Sequence, residues 1–473
     1  MSYTYRHLAR VTIEAVTPIA VGSGQESVLT DRLVVKDVNG LPYLPGTSLA
    51  GILRQALTTP DNKASIGDFF GFVGEGSRFL ISSAHLVGTN SQVVDGLWRE
   101  FPDDTFLNRF YHLPIRQHVR LSHKGASEEG GKFDEEVVFK GTRFCFELEL
   151  VSERADEPVW RDVIGQLYRP DFRVGGGTRK GFGEIKVIEC KTETIDLAVN
   201  LDRYLEKTSS LADEDGWWNP VPDDRPGKEL ESGWIAYEVT LEPQDFFLFG
   251  SGFGTEDADM GFVTEPVIEW EGYQPRFSES KVLIPAASVK GAIAHRVAFH
   301  FNKDNQIYAD TLKSTTITNL LKKGYQIPSD CESFSNKEPD DCFKMITDGN
   351  PAVRKIFGYV ANEDGQRGNV IFSDIFLEQL AERKLLNHVA IDRFTGGAID
   401  GALFHEEVAQ AKEQFKLKIF LNMKEIQQAD YINAFEKSLD DLCSGRLPLG
   451  GGTMRGHGCF KGSFIKKSRS DEK

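Results

Sequence analysis

Four sets of residues have types and spacings that could do chemistry. Two are glycine loops, Gly175-Gly176-Gly177-Thr178-Arg179-Lys180-Gly181-Phe182-Gly183 and Gly450-Gly451-Gly452-Thr453-Met454-Arg455-Gly456-His457-Gly458. Consecutive glycines permit positive φ and let backbone approach a ligand closely. Successive N–H groups in such a loop can form an anion nest around Gly176 and Gly177 or Gly451 and Gly452, with Arg179, Lys180 and Arg455 adding charge. The Lys-Ser/Thr ending of a nucleotide P-loop is missing, which argues against ATP. The third set is a Pro-x-x-Ser-x-x-Gly helix start, seen as Pro45-Ser48-Gly51 and Pro285-Ser288-Gly291. A helix start attracts anions, and Arg54, Lys290 and Arg296 on the same segments favour phosphate; the plain alternative is an ordinary N-cap at Ser48 and Ser288. The fourth is Asp31, set between the loop Gly22-Ser23-Gly24 and the strand-like Leu33-Val34-Val35. A carboxylate there can bind a divalent cation, Mg2+ or Mn2+, beside a phosphodiester or position a 2′-hydroxyl; the plain alternative is a turn residue. His112, His118, His123, His388 and His405 match no metal-ligand spacing.

These sets recur because the chain contains itself twice. VTIEAVTPIAVGSG (11–24) resembles VTLEPQDFFLFGSG (239–252), and the Pro-x-x-Ser starts, FFGFVGEGSRFLISSAHL (69–86) and IFGYVANEDGQRGNVIFSDIFL (356–377), HVRLSHKGASEEGGKFDEEV (118–137) and HVAIDRFTGGAIDGALFHEEV (388–408), and the glycine loops follow in the same order. The separation grows from 228 to 275 residues, placing insertions in the second copy, chiefly around 302–350. His118 and His388 fall at equivalent positions. Aligning Pro266-Val267-Ile268 with Leu33-Val34-Val35 sets Thr264 opposite Asp31, with Asp257, Asp259 and Glu265 nearby; Asp259 is kept as a second acid candidate and the second copy is read as leaning toward binding alone. Ala50 stands where the second copy has Lys290.

Each copy reads as strand, helix, strand, strand, helix, strand: Val11, Ile13 and Ala15 alternate, Phe144, Phe146, Leu148 and Leu150 alternate, and 159–170 is helical. The expected class is α+β, with two tandem ferredoxin-like (RRM-like) domains carrying long insertions, 1–200 and 235–473, joined by an acidic connector at 201–234.

Composition sets outer limits. Of 473 residues, 40% are hydrophobic and 27% charged, which excludes wholesale disorder. No apolar run reaches membrane-spanning length and no secretory leader opens the chain, so a cytoplasmic location is expected. Six cysteines without a Cys-x-x-Cys pair read as plain thiols; zinc on Cys331 and Cys342 is the alternative. Fifty-five basic against 71 acidic side chains give −16, which disfavours a simple basic glove for nucleic acid. The charge is segregated, however. Residues 201–232 hold nine acids and four bases, whereas Arg446 to Arg469 holds six bases and no acid.

With LVVKDVNGLPYLPGTSLAGILR, HVAIDRFTGGAIDGALFHEEV and the paired glycine loops, the chain resembles the RAMP superfamily, and more narrowly the repeating backbone subunit of type III CRISPR effector complexes, similar to tandem fusions of subtype III-D. The resemblance implies a thumb-like hairpin at 118–137 and at 388–408, guide CRISPR RNA and complementary target RNA as partners, and other effector subunits. It implies metal-dependent target cutting at Asp31 by 2′-hydroxyl attack, leaving a 2′,3′-cyclic phosphate. A non-catalytic scaffold and a guide-processing endoribonuclease centred on His7 or His112 are the alternatives.

Overall fold

Alternating side chains along β1 (Tyr5–Ala15) bury Ala9, Val11 and Ile13 on one face, and that face organises the first half of the chain. The computed structural model describes residues 3–28, 30–59, 62–98, 104–122, 125–213, 218–220, 233–308, 312, 317–328, 331, 334, 339–360, 365–379 and 382–467; His123 lies outside them. After β1 come α1 (Gly46–Leu57), β2 (Phe79–Ile81), the hairpin β3 (Ile115–Leu121) and β4 (Ser127–Glu136), then β5 (Arg143–Ser152), α2 (Pro158–Gln166) and β6 (Ile185–Asp196). β1 lies between β5 and β6, and β2 pairs with β5, all antiparallel. Leu49, Leu53 and Leu57 of α1, with Val159, Trp160 and Val163 of α2, pack on the sheet's buried face.

The described part of the segment expected as a connector rests on this unit. Helix α3 (Leu197–Leu205) follows β6 without a break. Tyr204 and Lys207 reach Glu149 and Glu147 on β5, and Leu211 packs with Val87, Val93 and Cys145. Its acidity suggested a linker, but its bases and apolar residues cover the sheet's second face. Residues 214–217 and 221–232 lie outside the described part.

The second half repeats the plan: β7 (Trp234–Pro243), hairpin β8 (Ile268–Glu271) and β9 (Gln274–Phe277), α4 (Ala286–Asp304), β10 (Val370–Phe372), hairpin β11 (Glu382–Ile391) and β12 (Ala398–Gln410), β13 (Phe415–Asn422), α5 (Ala429–Cys443) and β14 (Phe460–Lys467). Its sheet runs β10-β13-β7-β14, the same order within the unit as β2-β5-β1-β6. The molecule is thus a mixed α+β protein with one principal sheet in each half and smaller sheets and hairpins around it. The polar insertion is partly helical, at Ile317–Lys322 and Pro339–Asp348, and buries Leu320, Cys342 and Ile346 against the second core. The six cysteines are free thiols. No described helix is long and apolar enough to cross a membrane.

The two halves interlock. The β8–β9 hairpin leaves its own sheet and lays Ile268, Trp270 and Phe277 on the first core. Ile268 N–H donates to Lys140 O (2.9 Å), and Trp270 Nε1–H donates to Gly141 O (2.8 Å). Gly141 must be glycine here: its φ is +88°, and a Cβ would sit 2.1 Å from Ile268 O. Beside it, buried Arg116 of β3 donates to Glu265 and Asp374 of the second half, at 2.9 Å to Glu265 Oε2 and 2.8 Å to Asp374 Oδ2. Burial alone would disfavour its charge; the two carboxylates outweigh that and raise the guanidinium's pKa.

Candidate nucleic-acid interface

The two acid loops superpose by their hydrogen bonds. Gly22 bridges Val34 and Gly250 bridges Phe262, and each pair is 228 positions from its counterpart. Ser23 N–H donates to Leu33 O and Ser251 N–H to Gly261 O, both at 2.9 Å, while Glu136 N–H meets Arg32 O as Glu407 N–H meets Met260 O. This register sets Asp259, not Thr264, opposite Asp31. Thr264 instead begins a short strand paired with Lys281–Ile284, and Glu265 is buried on Arg116. The sequence alignment slipped because the β8–β9 hairpin is longer than its counterpart around Asp37–Leu41, and Pro266-Val267-Ile268 mimicked the first copy's apolar run.

Both acids are exposed and both grip their own hairpin. Asp31 Oδ2 accepts from Asp134 N–H (2.9 Å), and Asp134 Oδ1 accepts from Asp31 N–H (2.8 Å). In the second unit Asp259 Oδ2 accepts from His405 N–H (2.8 Å), and Asp259 N–H donates to His405 O (3.0 Å). His405 thus occupies the place of Asp134. Its Nδ1 lies 2.7 Å from Asn387 Oδ1.

The glycine loops do something other than expected. Gly176 N–H donates to Ala20 O, Lys180 N–H to Gly177 O and Gly183 N–H to Pro18 O; Gly451, Arg455 and Gly458 repeat this with Leu248, Gly452 and Phe246. These N–H groups bind the chain itself and fix the shape of each loop. What each loop delivers is a base onto a buried carboxylate that sequence reading missed. Lys180 Nζ lies 2.7 Å from Glu135 Oε1, and Arg455 Nη2 lies 2.6 Å from Glu406 Oε1. His118 Nε2 is also 2.7 Å from Glu135, and His388 Nε2 is 2.9 Å from Glu406. Phe133 and Phe404 stack on these imidazoles at 4.9 and 4.8 Å. Burial would raise the pKa of Glu135; His118 and Lys180 overcome it and hold the carboxyl at about 2. The available signal was the Glu-Glu-Val that ends both hairpin matches.

Cations gather where the first glycine loop meets the second unit. Arg179 Nε donates to Gly368 O (2.8 Å), Arg367 donates to Thr178 Oγ1 (3.0 Å) and Gln55 Oε1 (3.2 Å), and Lys290 of α4 stands among them. Gly181 makes the approach possible: its φ is +114°, and a Cβ would lie 2.5 Å from both Ala286 Cβ and Asp374 Oδ1. Among the described residues no carboxylate is within ion-pair distance of Lys290, Arg179 or Arg367. Burial, then the charges of Arg179 and Lys180, lowers Lys290 to about 8; burial, then Arg367 and Arg173, lowers Arg179 to about 9. The cluster is a patch of positive charge in which Lys290 and Arg179 are half-buried and Arg367 is exposed.

The remaining candidates are placed as follows. Ser48 and Ser288 are not N-caps: both helices start one residue after proline, with Pro45 and Pro285 as N-caps in extended geometry, so each serine falls inside the first turn. The first N–H of α4 donates to Asp374 Oδ1 (2.8 Å) and that of α1 to Ser83 Oγ (3.3 Å), which leaves less of either helix mouth for a ligand. Arg54 is exposed beside Gln55. Arg296, expected to grip RNA, is bonded with His300 and Arg446 to Asp441 and clamps α4 to α5. His7 is buried between Thr194 and Arg154 O, and burial lowers its pKa; His112 is exposed on a cleft of about 310 Å³ between the halves. Among the described residues no three His, Cys, Asp or Glu side chains converge as a metal cage. Asp31 and Asp134 still keep one carboxylate oxygen each outside their mutual bonds, a donor set that suits a hard cation sharing its shell with phosphate.

Each half thus carries one acid loop, one hairpin and one base-bearing glycine loop. Among characterised proteins, the CRISPR system Cms endoribonuclease Csm3 of Methanocaldococcus jannaschii is 26% identical over 195 residues, covering 38% of this chain and 77% of that relative. A solved structure, the type III-B Cmr-beta apo state by cryo-EM, matches with a TM-score of 0.30 and 17% identity over 38% of this chain and 97% of that one. The family model for the RAMP superfamily matches residues 12–186 and again 247–461, one span in each half, and these spans take in every element just described. The chain belongs to the RAMP superfamily.

Proposed function

We propose that this protein is a backbone subunit of a type III CRISPR effector complex: two ferredoxin-like units in tandem that hold a guide RNA and cut complementary target RNA beside Asp31 and Asp259. The strand order 2-3-1-4 with two crossing helices, found in both halves, supports the ferredoxin-like description. The division 1–200, 201–234 and 235–473 is kept, with the connector riding on the first unit. The likeness to the Csm3 endoribonuclease of a CRISPR system supports both the CRISPR setting and the endoribonuclease activity.

One observation carries the reading. Two register-equivalent acids are each clasped to a hairpin, and at the unit junction Lys290, Arg179 and Arg367 gather with no carboxylate among the described residues to pair them. A chain with net charge −16 that gathers Lys290, Arg179 and Arg367 without a counter-charge fits a polyanion threaded through that point. Guide pairing supplies sequence choice, so the protein needs backbone and shape contacts more than base contacts.

In this scheme Asp31 and Asp259 hold the target backbone so that a 2′-hydroxyl faces its own 3′-phosphate. The 2′-oxygen gives up its proton to solvent as its bond to phosphorus forms, the bond from phosphorus to the next nucleotide's 5′-oxygen breaks, and that oxygen takes a proton from solvent to leave as a 5′-hydroxyl beside a 2′,3′-cyclic phosphate. Asp31 with Asp134, and Asp259 in the second unit, would hold Mg2+ or Mn2+, which when bound stabilises charge on the phosphate. Placing Asp259 level with Asp31 favours cutting by both units over binding alone in the second. The test is a cleavage map of target RNA in the assembled, guide-loaded complex. Asp31→Ala should remove one cut and Asp259→Ala another, with target binding retained. Cuts that persist in the double variant would leave a scaffold.

A further inference from the structure

Each buried glutamate sits one residue along β4 or β12 from the residue that grips the acid loop: Glu135 follows Asp134, and Glu406 follows His405. Adjacent residues of a strand point to opposite faces. One side of the hairpin therefore faces the acid loop, and the other faces the glycine loop. Resting on Asp31 and Asp259 being the cutting residues, we infer that Glu135 and Glu406 are positioning residues, each latching its hairpin to its own glycine loop and so setting where the cutting acid stands.

The latch is built twice from the same parts in different surroundings. A base from the glycine loop (Lys180 or Arg455), an imidazole from the facing strand (His118 or His388) and an aromatic floor (Phe133 or Phe404) meet one carboxylate in each unit. The outer partners differ. Arg32 stands 3.9 Å from Glu135, where the second unit has Met260, and His457 stands 3.9 Å from Glu406, where the first has Phe182. A buried ion cluster is a poor source of net stability; what it supplies is direction, because its hydrogen bonds fix both partners. The rest of each hairpin is lightly held. Val119 and Leu121 in the first, and Leu385, Val389 and Leu403 in the second, are exposed, so the latch acts at the buried base of each hairpin, where Glu135 and Glu406 lie.

The test uses the full chain in its guide-loaded complex with Glu135→Gln and Glu406→Gln, read by amide hydrogen exchange and by the cleavage map. Glu135→Gln should speed exchange across 115–121 and 127–136 by about tenfold or more and leave 382–391 and 398–410 unchanged; Glu406→Gln should do the reverse. Each variant should lower kcat for its own cut with KM unmoved. Lys180→Arg, which copies the arginine of the second unit, should keep the first hairpin's exchange slow, whereas Lys180→Ala should release it. Unchanged exchange in Glu135→Gln, acceleration spread over both units, or equal damage from Lys180→Arg and Lys180→Ala would each overturn the latch. Exchange that responds as expected while Asp31→Ala removes no cut would instead sink the assignment of the cutting residue.

Discussion

Replacing Lys290 with Met should make the free protein more stable and the RNA-bound protein weaker. Lys290 is half-buried beside Arg179 and Lys180, and its ammonium falls from the ordinary 10.5 to about 8. That gap corresponds to a ceiling of about 3 kcal/mol against the charged form, reduced by solvent screening to about 1 kcal/mol for a group only partly covered. Met keeps the apolar stem and removes the charge, so the urea midpoint of the RNA-free chain should rise. The pH dependence has a definite sign. Between about 8 and 10.5 the unfolded chain binds the proton that the folded chain has lost, so wild-type stability gains with rising pH in that window. The variant should lack this gain. Guide RNA should bind about tenfold more weakly, and the slope of log affinity against log salt should flatten by about 0.7, the share of one phosphate contact on a single strand. Urea titrations from pH 7 to 10.5 and filter binding over a salt series read both effects. A Lys290→Met chain that is less stable without RNA, or that keeps the full salt slope, would refute the reasoning.

Three other outcomes follow from the same geometry. Trp270→Ala removes the ring that Arg143 covers at 3.9 Å and that donates to Gly141 O, at a cost of about 3 kcal/mol; calorimetry should show one coupled transition becoming two. Glu135 is held at about 2 against an ordinary 4.5, so its contribution is complete above pH 4.5 and is lost as pH falls toward 2; acid unfolding of Glu135→Gln should be shallower across that window. Chelating divalent cations should stop target cutting while leaving target binding intact, as gel shift and cleavage on one sample would report.

Much of the architecture was legible because duplication doubles every signal. The β1 alternation, both crossing helices and the order of motifs could be read from apolar spacing and turn residues alone. The equivalence of His118 and His388 was legible too, though not their partner. Nothing local in the sequence marks Glu135 and Glu406, because their burial depends on a hairpin folding back over a loop some 45 residues away in the first unit. The place of Asp259 hinged on where a gap falls, and only the bridge from Gly250 to Phe262 decides that. The helix starts and glycine loops read as donors, but a sequence cannot show that Asp374, Ala20 and Leu248 take up one N–H group of each. The ion pair of Arg296 is hidden from the sequence for the same reason, since Asp441 lies on a helix more than 140 residues later.

Whether a polynucleotide backbone passes through the unit junction is best decided by cryo-EM of the guide-loaded complex. We expect a guide phosphate within hydrogen-bond reach of Lys290 and next to the Arg179 and Arg367 guanidinium groups. A guide path that bypasses these three side chains, or a protein partner filling the pocket instead, would contradict it.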